Sequence, residues 1–206
     1  MKLLWSSRSP FVRKVMIFAH ETGLGGRITL ERTVVAPTKP NPDVMRINPL
    51  NKLPTLLLED GGALYDSRVI IEHLDTLHDG PPVVPLSGRP RMEALRMQAL
   101  CDGILDFLLL GLSERARPEA QQSPELKAAL ALKLKAGLDR LEVEAEQLTA
   151  GSRLGLPEIA TAAVLGYVDF RYASEVWREG RPRLAKFAAA VAERPSIKGT
   201  AHADVY

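Results

Sequence analysis

Residues 79–88 read DGPPVVPLSG, with three prolines and two glycines in ten positions. Proline lacks an N–H and fixes φ, and glycine loses the most freedom when held in a helix or strand, so no regular element is expected to cross this stretch. The chain differs in kind on its two sides. Upstream the apolar period switches between two and about 3.6 residues, whereas downstream only helical periods are found. The stretch therefore reads as a boundary. It separates a small mixed α/β domain over 1–78 from an all-helical domain over 88–206, with 79–87 as linker.

Working upstream, Lys2–Trp5 is a short apolar run that reads as a buried strand. From Pro10 to Thr22, Phe11, Val12, Val15, Met16 and Ala19 fall at helical spacing, with Ser9 at the N-cap position and Pro10 at the first helical one. Gly23, Gly25 and Gly26 end that helix. Ile28 and Leu30 then alternate with Thr29 and Glu31, as in a strand. Asn48–Pro49 and Lys52–Leu53–Pro54 mark a loop before a strand at Thr55–Glu59, and Asp60–Gly61–Gly62 turns that strand back onto Ala63–Tyr65. A helix over Ser67–Leu77 follows, with Val69, Ile70, Leu74 and Leu77 on one side. The order is β-α-β, loop, β-β, α.

Downstream, Ser123–Pro124 opens a helix whose leucines at 126, 130, 134, 138, 141 and 148 make a continuous stripe. Further helices are expected from Pro157 to about Trp177 and from Pro182 to about Glu193.

Composition narrows the function. Of 206 residues, 46% are hydrophobic and 25% charged, and the 27 basic residues are scattered at a net charge of +2. A nucleic-acid partner would want a basic stripe instead. The apolar run Ile104–Leu112 is broken by Asp106 and falls short of the roughly 20 residues that span a bilayer. The start of the chain has no signal-peptide pattern. A single cysteine, Cys101, precludes an intramolecular disulfide, and no Cys/His cluster has metal-ligand spacing. The expectation is a soluble cytoplasmic protein with no metal, no nucleic-acid partner and no membrane contact.

Four stretches name a family: SSRSPFVRKV at 6–15, NPLNKLPTL at 48–56, LYDSRVIIEHL at 64–74 and RPSIKGT at 194–200. In this order and spacing the chain resembles the cytosolic glutathione S-transferase superfamily, and within it a Ser-type bacterial subgroup. The resemblance implies a thioredoxin-like N-terminal domain with a mixed four-stranded sheet, an all-helical C-terminal domain, glutathione as co-substrate and a homodimer.

Each stretch has a physical reading beside the resemblance. Asp66–Ser67 opens a helix whose first N–H groups are unpaired and whose dipole end is positive, a natural seat for a carboxylate. The family places the γ-glutamyl carboxylate of glutathione at the position of Ser67, and the Asp66 carboxylate is suited to the ligand's ammonium group; the plainer reading of the pair is a helix cap. The family also has a cis-proline at the position of Pro54. It leaves the main chain of Leu53 open at a sheet edge, to bond glutathione as an added strand would. Lys39 and Lys52 are candidates for the glycyl carboxylate, against the reading of solvated loop lysines.

The stretch WSSRSPFVR at 5–13 holds the candidate catalytic hydroxyls. No tyrosine precedes Tyr65, and Cys101 lies in the second domain, so the family's Tyr- and Cys-type chemistries are excluded. Ser6 matches the position of the catalytic residue in several Ser- and Cys-type classes, and Ser9 that of the reactive cysteine in glutaredoxin-like and omega classes. Ser6 is ranked first because Ser9 also reads as the helix cap. A thiol of pKa about 8.5 is only about 3% ionised at pH 7. A hydrogen bond to a charged group contributes about 1.5–3 kcal/mol, or one to two pKa units. Full ionisation raises the thiolate at most about 30-fold, so orientation of the second substrate must supply the rest.

That substrate is expected to be a small hydrophobic electrophile, in a pocket between the domains lined by Leu105, Leu108, Leu112 and Arg115. The activity expected is transfer of alkyl or aryl groups to glutathione in a detoxifying role, with a peroxidase side activity. The alternative is a non-catalytic binding protein of the same fold, of the stringent-starvation type. One departure from the family's pattern concerns stability: Gly155–Leu156–Pro157–Glu158 stands where a Ser/Thr-x-x-Asp capping box is usual.

Overall fold

The computed structural model describes residues 1–204; residues 205 and 206, the end of the expected 88–206 domain, lie outside the described residues. The chain divides into two compact units, one of Met1–Leu86 together with the residues from Arg194 onward, the other of Ser87–Glu193.

In the first unit, strand β1 (Lys2–Trp5) buries Leu3 and Leu4 on its opposite faces. It pairs in parallel with β2 (Thr29–Arg32) and antiparallel with β3 (Thr55–Leu57), and β3 pairs antiparallel with β4 (Ala63–Leu64). The result is the expected four-stranded mixed sheet, in the order β2-β1-β3-β4, with the thioredoxin-like set of helices around it. β3 and β4 are joined by a turn in which Asp60 Oδ1 accepts from the Gly62 N–H at 2.9 Å and Gly61 takes φ 86°, a left-handed value that glycine alone adopts freely.

Helix α1 (Pro10–Glu21) starts where the sequence places it, with Ser9 Oγ accepting from the Val12 N–H at 3.2 Å. α2 (Pro42–Met45) is a single turn capped by Asn41, too short for periodicity to reveal. α3 (Ser67–Asp75) is capped by Asp66 and buries Ile70, Ile71 and Leu74. Val69, read as part of the apolar side, points outward instead, and Ile71 takes its place in the core.

The sequence reading ends the first domain at 78 and leaves 79–87 as linker. In the structure most of that segment is fastened to the first unit. The Asp75 carboxylate accepts from the N–H groups of Val83 and Val84, each at 2.9 Å, and both valines are buried. His78 Nδ1 accepts from the Gly80 N–H at 3.1 Å, so its Nε2 carries the proton and donates to Asp75 Oδ1 at 2.9 Å. The division accordingly falls after Leu86. At the other end, α8 (Pro195–Lys198) packs on α1, so the residues from 194 belong with the sheet and not with the helical unit to which 88–206 assigned them. Arg194 Nη2 and Ser196 Oγ both donate to the Glu21 carboxylate, whose side chain is 5% exposed.

The second unit holds α4 (Gly88–Arg115), α5 (Pro124–Glu144), α6 (Leu156–Arg171) and α7 (Pro182–Ala192). Leu130, Leu134, Leu138 and Leu141 of the stripe are buried, while Leu148 lies past the end of α5. Gly137 lets α4 approach closely, since a Cβ there would sit 2.7 Å from Ile104 Cγ1. α6 ends at Arg171 rather than near Trp177, whose indole N–H donates to Asp169 Oδ1 at 2.7 Å beyond the helix. Gly155 is the N-cap of α6 and supplies no side-chain bond, and the Glu158 carboxylate accepts from the Thr149 N–H at 3.1 Å. The missing cap is therefore replaced by a bond that ties the preceding loop to the first turn. Among the described residues no helix is long and apolar enough to cross a membrane.

Candidate functional site

Strand register brings the candidate residues of the first unit to one end of its sheet. The last β1–β3 pair is Leu4 with Thr55, and the first β3–β4 pair is Leu56 with Leu64. The segments that follow β1, precede β3 and follow β4 therefore leave the same end of the sheet, and they carry Ser6, Leu53 and Ser67 in the strand order β1-β3-β4. Neighbouring strands lie about 4.8 Å apart, so this row runs roughly 10 Å from end to end.

The middle of the row is open. The N–H and C=O of Leu53 form no hydrogen bond among the described residues, while its side chain is buried. The Leu53–Pro54 peptide is cis, as the resemblance implies. The loop that presents it is pinned from inside. Buried Asn48 donates through Nδ2 to the Lys52 carbonyl at 3.2 Å and to Thr55 Oγ1 at 2.9 Å, and Thr55 Oγ1 donates to the same carbonyl at 3.0 Å. Asn48 Oδ1 also accepts from the Leu50 N–H at 3.1 Å. Sequence reasoning took Asn48–Pro49 for simple loop punctuation; the local signal was the pair of hydrogen-bonding residues that brackets the loop.

At one end of the row is the start of α3. Ser67 is buried at its first position, where the N–H has no intrahelical partner. Asp66 Oδ1 accepts from the Arg68 N–H at 3.0 Å, and the Arg68 guanidinium donates to both carboxylate oxygens, at 2.9 Å from Nη2 to Oδ2. Partial burial pushes the Asp66 carboxyl up, but the Arg68 guanidinium and N–H outweigh it and hold the group below the usual carboxylate range. Sequence reasoning missed Arg68. Its signal was an arginine two residues after the cap, close enough to turn back onto it.

At the other end is the loop after β1. Ser6 Oγ accepts from the Arg8 N–H at 3.3 Å, and the Ser6 carbonyl accepts from the Ser9 N–H at 3.1 Å, which closes a turn. Ser9 Oγ is engaged as the cap of α1. Ser7 faces the residues beyond α8, its Oγ donating to the Ala203 carbonyl at 2.8 Å. A cavity of about 100 Å³ lies beneath this loop, walled by Trp5, Ser6, Ser9, Met16, Leu30 and Thr200 among others. Of the row, Ser6 alone lines it; Leu53 and Ser67 do not.

The remaining candidates are dispersed. Lys52 is exposed in the loop before Leu53, and Lys39 is exposed in the turn that bridges Ala36. In the second unit Leu105 and Leu108 are fully buried on α4. Leu112 is half-buried, and Arg115 is exposed, its guanidinium 4.0 Å from the centre of the Tyr172 ring. Among the described residues no group of three or more His, Cys, Asp or Glu side chains is placed to hold a metal ion.

Comparison with known proteins covers both units. Residues 8–77 match the family model for the glutathione S-transferase N-terminal domain, and residues 124–190 that for the C-terminal domain. An uncharacterised GST-like protein of Escherichia coli K12, YibF, is 34% identical over 97% of this chain and 98% of its own. The crystal structure of a glutathione transferase family member from Pseudomonas fluorescens Pf-5, with bound glutathione, superposes with a TM-score of 0.94 at 36% identity, covering 98% of each chain. A stringent starvation protein A homologue of Pasteurella multocida is 32% identical over 48% of this chain and 46% of its own.

Proposed function

The chain belongs to the glutathione S-transferase family, and from that premise we propose that it binds glutathione along the row Ser6–Leu53–Ser67 and transfers it to a small hydrophobic electrophile. The observation that carries this reading is the open main chain of Leu53, between the Ser6 hydroxyl on one side and the Ser67 N–H at the start of α3 on the other. The Pseudomonas relative with glutathione bound supports the choice of ligand. Leu53 pairs with the cysteinyl backbone as an extra strand does. The first turn of α3 takes the γ-glutamyl carboxylate. The Asp66 carboxylate, ionised at neutral pH, takes the ammonium group, and Lys39 and Lys52 are the candidates for the glycyl carboxylate. The Ser6 hydroxyl donates to the sulfur and favours the thiolate. The thiolate attacks the electrophile, forming an S–C bond as the leaving group departs with its electron pair, and the thiol proton passes to solvent.

Titration calorimetry with millimolar glutathione tests the ligand, and a folded protein that gives no heat sinks it. Asp66→Ala is expected to weaken binding at least about tenfold, the equivalent of about 1.5 kcal/mol for a hydrogen bond to a charged group. A panel of aryl halides, isothiocyanates, hydroperoxides and disulfides, assayed with glutathione, tests the chemistry. Activity on none of them, with stoichiometric capture of a large partner protein, favours the second reading, a non-catalytic binding module. The match to a stringent starvation protein A homologue supports that alternative over half the chain. Homodimerisation and a cytoplasmic, detoxifying role belong to the same proposal, and light scattering reads the first directly.

A further inference from the structure

The loop that carries the candidate hydroxyls is held by residues almost two hundred positions away. Ser7 Oγ donates to the Ala203 carbonyl at 2.8 Å, and His202 Nδ1 donates to the Ser7 carbonyl at 3.0 Å. Next to them the Arg8 guanidinium pairs with the Asp204 carboxylate at 3.0 Å. Ser7 is thus engaged through both side chain and main chain by two consecutive residues. The segment that supplies these bonds is itself anchored on α1, by Arg13 Nη2 on the Ile197 carbonyl at 3.4 Å and by Arg194 and Ser196 on Glu21. Gly199, Thr200 and Ala201 share the walls of the loop's cavity with Ser6, Ser7 and Ser9.

Local structure accounts for none of this. Ser9 caps α1 and Ser6 closes its turn without help from residues 202–204. The long-range bonds fall on Ser7 and Arg8, directly after Ser6 and before the cap of α1. A hydroxyl on an unordered loop must give up that freedom to meet the sulfur in the reaction, whereas on a loop already tied down it has been lost on folding.

We propose that residues 202–204 form a strap that holds Ser6 in line with Leu53 and the first turn of α3, with Ser7, His202 and Asp204 as positioning residues for activation of the glutathione thiol. The proposal rests on the reading of Ser6 given above. Misplacing a reacting group by about 1 Å costs on the order of 100-fold in rate, so a strap that removes a fraction of that error has a measurable effect. The effect falls on the thiol and not on affinity, because the strap touches neither Leu53, Asp66 nor Ser67.

The test uses Ser7→Ala, Ser7→Thr, Asp204→Ala and a chain stopped after Ala201. Without ligand, amide exchange at Ser9 and Val12 is expected to quicken about tenfold in Ser7→Ala and in the shortened chain, as local opening becomes easier. With glutathione, the bound thiol's pKa is expected to rise and kcat to fall about tenfold, while KM for glutathione stays within about twofold. Ser7→Thr, which keeps the hydroxyl, is expected to restore all three. Exchange, thiol pKa and kcat unchanged in the variants overturn the strap, as does faster exchange with an unchanged thiol pKa and kcat. If circular dichroism shows the shortened chain unfolded, Ser7→Ala and Asp204→Ala decide by the same criteria. A wild-type protein that binds no glutathione overturns the proposed function itself, whereas wild-type binding with unaffected variants overturns only the strap.

Discussion

Ser6→Ala is expected to raise the pKa of bound glutathione by about one to two units, since the lost bond to a charged sulfur is worth about 1.5–3 kcal/mol. Ultraviolet titration of the thiolate measures the shift. The sign is fixed by which form the hydroxyl binds. It donates to the thiolate and so stabilises the charged state, and removing it makes the thiol a weaker acid. At pH 7 the thiolate fraction, and with it kcat, is expected to fall about 10- to 30-fold, recovering as pH rises through the new pKa. Affinity for the peptide is expected to change little, because Leu53, Asp66 and Ser67 hold its other end. Ser9→Ala is expected to act differently. It removes the oxygen that accepts from the Val12 N–H and costs about 1 kcal/mol of stability, with little change in the thiol. If the pKa shift follows Ser9→Ala and not Ser6→Ala, the proline-adjacent serine is the activator.

The largest effect on stability is expected from Glu21→Ala. The Glu21 side chain is 5% exposed, and it receives Arg194, which is 19% exposed, together with Ser196. Burial and the Glu21 carboxylate act in opposite directions on Arg194, and the hydrogen bond, the larger of the two, raises its pKa. Deleting the carboxylate takes from a largely buried cation the group that receives its Nε and Nη2, at a cost of about 3–5 kcal/mol. Urea unfolding reads the loss. The double variant Glu21→Leu with Arg194→Met is expected to recover much of it, because apolar groups of similar volume need no partner. If the single variant loses less than about 1 kcal/mol, the pair behaves as a surface contact and α8 is held to α1 by its other contacts.

The sequence disclosed what local chemistry encodes. Ser9 and Asp66 cap the helices they were expected to cap, Gly61 makes the turn between β3 and β4, and the prolines of 79–88 lie close to the division between units. Contacts between distant positions left no such trace. The bond from Ser7 to Ala203 and the pairing of Glu21 with Arg194 have no period and no local spacing. Asn48 and Thr55 look like ordinary loop residues until their side chains are seen meeting at the Lys52 carbonyl. Leu105 and Leu108 show a different limit. An apolar run at helical spacing fits a helix core and a ligand wall equally well, and only burial separates the two.

The return of residues 194–204 to the first unit also sets an order of events on the ribosome. Sheet, α1 and α3 emerge first, yet α8 and the residues after it cannot join them until all of Ser87–Glu193 has been translated. At about 5–20 residues per second that wait is on the order of ten seconds. Throughout it the Glu21 carboxylate and the flank of α1 face the cell without their partners, while the helical unit, continuous in sequence, is free to fold by itself. A nascent chain of this architecture is therefore exposed to chaperones and proteases at its N-terminal half for longer than at its middle, and synonymous changes that slow translation of 87–193 lengthen that exposure without altering a single residue.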